Sequence, residues 1–390
     1  MEKDGRKDFM KKRITKIVIA VLTVLCLAEG FFLYRAYWGA SDTMRMVQKI
    51  RNIERAIQTY YKGDVDEDQL ETYTYKGLVA GLGDQYSDYY SEEEYKELTE
   101  STEGVYSGVG ITMTKDSSSG EITVVNTLKG SPAYGSGLKK GDVLTKIGDE
   151  EIGKNANLND VISKVKGKEG TKVTLTFQRG DDTKEYTFTR KSVENPTVDT
   201  KMLSGNIGYL SISEFDEITV EQFEDGLKDL QKQGAKSLII DLRDNPGGLL
   251  SAVVDIADDI LPKGKIVYTE DKNGKKKYYN AEDDDQLNMP LCVLVNGNSA
   301  SASEILAGAI KDRDAGTLVG EKTFGKGIVQ GFYGLGDDSY VKLTYASYYT
   351  PAGHNIHKKG IQPDVAVKDN ENTKTDEQLQ KAVEVLQNED

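Results

Sequence analysis

The hydrophobic pattern of this chain changes period several times, and each change predicts a different element. Residues 17–33, IVIAVLTVLCLAEGFFL, are apolar almost throughout and long enough to approach one bilayer crossing. From Asp42 to Tyr61, Met46, Ile50, Ile53, Ile57 and Tyr60 recur at helical spacing, which predicts a helix continuing from that run. A second helix is predicted over 69–82. Between Gly104 and Arg190 the period shortens to that of strands: VGITMT, EITVVN, DVLTKI, KVTLTFQR and EYTFTR, separated by glycine-containing turns. One amphipathic helix interrupts them, with Leu158, Val161, Ile162 and Val165 on one face.

From Ile207 onward strands and helices alternate: IGYLSI, a helix over 219–233, SLIIDLR, a helix over 249–260, PLCVLVN, and a helix over 303–311. Such alternation predicts a largely parallel α/β core. Further β runs follow, TLVGE, GIVQGFY, YVKLTYASYYT and a stretch ending at Val367. The polar tail carries one stripe, Leu379, Ala382, Val383 and Leu386, expected to dock on the core or on a partner. The reading is multidomain, mixed α/β and β: a basic segment (1–16), a transmembrane anchor (17–38), a helical region (42–103), a β module (104–190), an α/β core (191–367) and a tail (368–390).

Charge adds topology. Residues 1–39 hold eight Lys/Arg against four Asp/Glu, so the formal charge of −14 becomes −18 over the remainder. An acidic body repels nucleic-acid phosphates, so no nucleic-acid partner is expected. Lys3, Arg6, Lys7, Lys11, Lys12, Arg13 and Lys16 precede the apolar run, which predicts a cytoplasmic N-terminus and an extracytoplasmic body in the cell membrane. A cleaved signal peptide is the rival, but no clean small-x-small site follows, and Phe31, Phe32, Tyr34, Tyr37 and Trp38 suit an interfacial belt. Glu29 is expected near the outer headgroups. Cys26 and Cys292 lie in separate apolar runs, so no mutual disulfide is expected. Asp64, Asp66 and Asp68 resemble the start of a calcium loop, but the required glycine is missing and a solvated helix entry is the simpler reading.

Three segments carry candidate chemistry: DLRDNPGG (241–248), NGNSASASE (296–304) and FGKGIVQ (324–330). Each follows or opens a core strand, and loops at the carboxyl ends of parallel strands are where such folds build sites. Separately each has a plain explanation: Ser301 with Glu304 reads as a capping box, Lys326 as a surface lysine, Gly247 and Gly248 as turn residues. Together they form a mechanism. A serine hydroxyl needs a base, and a desolvated neutral lysine between glycines can serve. Gln330 is placed to orient that amine, while the N–H groups of Ala302 and Gly247 are candidate oxyanion donors. His354 and His357 stand three apart without a third ligand nearby, so neither a metal nor a cofactor is expected.

These segments resemble the signature of the carboxy-terminal processing peptidases, a Ser/Lys family joining a PDZ domain to an α/β core of the ClpP/crotonase type. The resemblance covers about residues 43–367. It implies Ser301 as nucleophile, Lys326 as general base and Gln330 as its partner, with Ser299 and Ser303 as bystanders or caps. GLVAGLGDQYSDYY (77–90) resembles the family's lead-in, although Gln85 stands where a proline is common. YSGVGI and the GSPAYGSGLKKGDVLTKIGDEEI stretch resemble a PDZ domain, with Gly108, Val109, Gly110 and Ile111 as the carboxylate-binding loop. The implied function is a membrane-anchored serine endopeptidase of the bacterial cell envelope, acting on exported proteins with free, apolar C-termini. The alternatives are a non-catalytic PDZ scaffold binding C-termini and an acyl-CoA-handling enzyme on a related core. A homo-oligomer or a regulatory partner stays open.

Overall fold

The computed structural model describes residues 2–282, 286–369, 373 and 375–388. Before residue 43 it describes side chains only at 16 and 18–35, so Tyr37, Trp38 and all but one of the seven basic side chains lie outside the described set. The chain divides into two compact units, Met1–Thr74 and Tyr75–Asp390.

In the first unit, helix α1 runs unbroken over Glu2–Tyr60, joining the apolar run and the predicted outer helix into one element. No proline interrupts it. Its window Val18–Arg35 has mean hydropathy 1.9, is long and apolar enough to cross a membrane, and has no buried side chains. Cys26 is free and exposed there. Helix α2, Glu67–Ala80, starts where the Asp66 carboxylate accepts the Gln69 N–H at 3.0 Å. Within that acidic run Asp66 therefore caps the helix.

The second unit contains helix α3 (Glu92–Glu103), whose end at Gly104 takes the left-handed conformation at φ 71°. Strands Val105–Gly108 and Lys191–Glu194 then pair antiparallel, closing the entry and exit of the β module like a clasp. Inside it, an antiparallel sheet of six strands wraps helix α4 (Leu158–Val165), which buries Val161 and Val165 against Ile122, Val124, Leu144, Leu175 and Phe177.

The core sheet runs in the order Val198–Leu203, Ile207–Ile212, Ser237–Asp241, Leu291–Val295, Thr317–Gly320, Val365–Ala366; the first pair is antiparallel and the rest parallel. Side chains alternate across it. Leu238, Ile240, Val293 and Val295 share a cluster with helices α5 (Glu217–Lys232), α6 (Leu250–Ile260) and α7 (Ala302–Asp312). Ile239, Cys292 and Leu294 face α8 (Glu377–Asn388) through Ala382 and Leu386. Covering both faces explains the unbroken apolar runs. The tail stripe thus docks on the core, clamped by Arg243, which donates to Asp376 at 2.9 Å.

The sequence pattern offers only two strands, GIVQGFY and YVKLTYASYYT, of a second, antiparallel sheet. It joins Asp88–Tyr90, Ile328–Gly334, Tyr340–Tyr349, Gly264–Asp271 and Lys276–Ala281. The last two are not among the expected β runs; Lys276–Ala281 is a charged, mostly exposed edge strand.

Candidate active site

The register of the parallel strands brings the three segments together. Asp241 stands beside Leu294, and Val295 beside Gly320, so the chain leaves adjacent strands toward one end of the sheet. The loops are then tied to each other. Ala300 N–H and the Ser303 hydroxyl both donate to Asn245 O at 3.0 Å, the Ser299 hydroxyl donates to Leu242 O at 2.8 Å, and Phe324 N–H donates to Ser299 O at 3.1 Å. Ser299 and Ser303, expected as bystanders or caps, are buried staples between loops.

Ser301 opens α7 with φ 55° and ψ −113°, a region that non-glycine residues seldom occupy. The turn fits because its neighbours are small: a Cβ on Gly247 would come within 2.8 Å of Ser301 Cβ and 3.0 Å of Ala302 N. Glu304, fully buried, accepts four hydrogen bonds: Thr323 Oγ1 (2.6 Å) and Gly325 N (2.8 Å) at Oε1, Lys326 N (2.8 Å) and Ser301 N (3.0 Å) at Oε2. Burial pushes its carboxyl up, against the pull of those four donors. With four donors aimed at it, the carboxylate ties the main chain of Ser301 to that of Lys326.

Lys326 lies between glycines that pack closely. A Cβ on Gly327 would meet His357 N at 2.5 Å, and Gly325, at φ 93°, accepts Lys358 N–H at 2.8 Å. Burial and then the charge of Lys342 hold the amine below the ordinary lysine range, while Glu304 pulls the other way. The amine lies over the Tyr86 ring, 5.0 Å from its centroid. Gln330 does not orient it in this arrangement; its amide donates to Thr344 Oγ1 at 3.2 Å. Thr344 N–H in turn donates to Ser87 Oγ, and Ser87 donates to Asp84 at 2.6 Å. The Gly247 N–H is also occupied, donating to Asn245 Oδ1 at 2.8 Å. His354 is exposed in the turn after the Tyr340–Tyr349 strand.

The other candidate loop lies in the β module. Val109 is buried, its carbonyl accepting Ala133 N–H at 2.9 Å, while Gly110 sits at φ 71° and its carbonyl accepts Leu128 N–H at 2.9 Å. A Cβ there would meet Ser131 Cβ at 2.1 Å, so glycine is required on both conformational and steric grounds. Gly108 pairs with Lys191 in the clasp, and Ile111 with Thr127 in the sheet.

Residues 206–367 match the model of peptidase family S41, and residues 107–189 match that of the PDZ domain. The carboxy-terminal processing protease CtpA of Bacillus subtilis is 36% identical over 361 residues, spanning 92% of this chain and 76% of its own. The chain belongs to the carboxy-terminal processing proteases of family S41. A "Probable CtpA-like serine protease" of Staphylococcus aureus is also 36% identical, over 90% of this chain and 71% of its own. The solved photosystem II D1 C-terminal processing protease is 29% identical, covering 89% of this chain and 97% of its own, with a TM-score of 0.49.

This S41 serine peptidase also places residues near the site that sequence reasoning did not assign. Glu304 reads as the third position of a capping box, and the box geometry concealed its reach across 22 residues to Lys326. Tyr86 and Ser87 lie in the lead-in segment, whose resemblance was noted without a role. Nothing local marks Thr344.

Proposed function

We propose that the protein is a membrane-anchored serine endopeptidase in which Ser301 is the nucleophile, Lys326 the general base and Gln330 the partner that orients the lysine. The observation that carries this reading is the buried Glu304 carboxylate, which takes the N–H of Ser301 and the N–H of Lys326 on one oxygen. In the reaction the neutral Lys326 amine takes the Ser301 hydroxyl proton as Oγ attacks the scissile carbonyl. Collapse of the tetrahedral intermediate expels the amine fragment, which leaves with that proton. Water then hydrolyses the acyl-enzyme with the same lysine as base. Ala302 N–H, at the start of α7, and Gly247 N–H stabilise the oxyanion, the latter after exchanging Asn245 Oδ1 for substrate. Substrate engagement also moves the lysine off Tyr86 and brings the Gln330 amide to it.

The PDZ domain, within residues 104–190, captures free apolar C-termini of exported proteins through the Gly108–Ile111 loop. Residues 17–38 anchor the chain with its N-terminus in the cytoplasm and residues 191–367 outside, supported by the apolar window of α1 and the basic residues before it. The test is digestion of a peptide with an apolar free carboxyl end by full-length protein in detergent, followed by mass spectrometry. Ser301→Ala should lose at least about 10³-fold in rate, and amidating the peptide should weaken both binding and cleavage. Turnover by folded Ser301→Ala sinks the dyad; equal handling of acid and amide sinks the role of the loop.

A further inference from the structure

Tyr348 is buried near the end of the Tyr340–Tyr349 strand, its ring within the main core cluster. Its hydroxyl donates toward Ser301 O at 3.1 Å and, in a shorter contact, toward Lys326 O. Its own N–H donates to Gly327 O at 3.1 Å, so the residue grips the lysine segment through main chain and side chain together. The two residues joined through their N–H groups by Glu304 are thus joined a second time, through their carbonyls, by one phenol.

We propose that Tyr348 is a positioning residue that sets the separation of the Ser301 and Lys326 segments through its hydroxyl, a role that rests on the assignment of those two residues as nucleophile and base. Packing alone does not require that hydroxyl. A buried phenol has to find a hydrogen-bond partner, and phenylalanine would fill the same volume without that demand. Here both bonds end on the peptide units of the proposed dyad. Burial and the nearby Glu304 charge raise the phenol well above its ordinary value, so it stays a donor across the range in which a lysine base works. The single proton shared between two carbonyls links the loops directly: if one carbonyl shifts, the hydrogen bond to the other changes. Ser301 O is held further by Glu304 N–H (2.9 Å) and Ile305 N–H (3.0 Å) of the helix start, so the lysine loop is the side that the hydroxyl restrains most.

The experiment compares Tyr348→Phe with wild type and Ser301→Ala, all full length in detergent, on the same peptide substrate. Thermal midpoint and peptide binding are measured alongside kcat and KM. The expected result for Tyr348→Phe is a midpoint within a few degrees, KM within about twofold, and kcat reduced about 10- to 100-fold, the scale of a modest misplacement of reacting groups. Encoded 4-aminophenylalanine at 348 keeps the ring and a para donor, and should recover most of the lost kcat. Unchanged kcat in Tyr348→Phe overturns the inference. So does a kcat loss that only tracks loss of folded protein, or equal rates for the phenylalanine and aminophenylalanine variants. Cleavage by Ser301→Ala overturns the dyad instead, and a silent Ser301→Ala beside a full-speed Tyr348→Phe rejects the inference alone.

Discussion

Ser301 and Lys326 share one anchor but differ in what their side chains meet. Both N–H groups end on Glu304 Oε2, and Ser301 is further constrained by its φ of 55° and the helix it opens. The Lys326 amine instead rests over Tyr86, and its proposed partner Gln330 bonds Thr344. Charge-assisted hydrogen bonds to a buried carboxylate are short and directional, whereas a cation–π contact at a partly exposed site contributes only about 0.5–1 kcal/mol. The main-chain frame of the site is therefore built in advance. The side chain of Lys326, the proposed base, is the part left free to be aligned by substrate.

The largest effect expected from breaking this contrast is at the lysine itself. Arginine keeps the charge and can lie over Tyr86, but it cannot accept the serine proton. Lys326→Arg should fold and bind peptide yet lose cleavage by at least about 10³-fold, read as initial rates by mass spectrometry. An active arginine variant would mean that the base lies elsewhere.

Tyr86→Leu sharpens the comparison by removing the ring that favours the ammonium form. The proposed mechanism needs the neutral amine, so the expected rate rises with pH through the pKa of Lys326, which burial and Lys342 hold below the ordinary lysine range. Without the ring that pKa drops further, and the acid limb of kcat/KM moves to lower pH. Losing about 0.5–1 kcal/mol corresponds to a two- to fivefold gain in relative rate on that limb. A pH profile that stays in place, or moves upward, argues that the ring does not hold the base.

The last effect is on stability, not on rate, and concerns the frame beneath the glycine turn. Phe215 N–H donates to Gly247 O at 2.9 Å and Phe215 O accepts Leu249 N–H at 2.7 Å, and the next residue, Asp216, is buried. Burial, with the neighbouring Glu214 charge, raises Asp216 to about 6. The folded state thus favours the protonated form, and the stability that this contributes is lost as pH rises from about 4 through about 6. Asp216→Asn should stabilise the protein above pH 6, by up to about 3 kcal/mol, and make no difference below about pH 4. Denaturant unfolding at two pH values checks it; a gain that persists in acid would point to a cause other than the carboxyl's charge.

Much of the fold was legible because its signals are local. LII and LCVLV are apolar at every position since both sheet faces are covered, and the turns around Gly110, Gly247 and Gly325 announce themselves through glycine. The serine, the lysine and the glycine turn could be named because each sits in a short segment at the end of a strand. The second sheet stayed hidden because its members come from distant parts of the chain. Asp88 pairs with Lys342 and Tyr268 with Tyr349, and no period in the sequence reports such partners.

The sequence by itself determined which residue types are available for chemistry, where the parallel strands of the core run and where an apolar segment lies, since these follow from side-chain period and backbone preference within a few residues. The tertiary structure alone decided that Glu304 gathers four donors, that Tyr348 bridges two carbonyls, and that Tyr86 rather than Gln330 meets the lysine amine. The physical reason is distance along the chain. A hydrogen bond depends on atoms a few ångströms apart in space, and the packing of sheets and helices, not sequence spacing, brings residue 86 to residue 326 and residue 348 to residue 301.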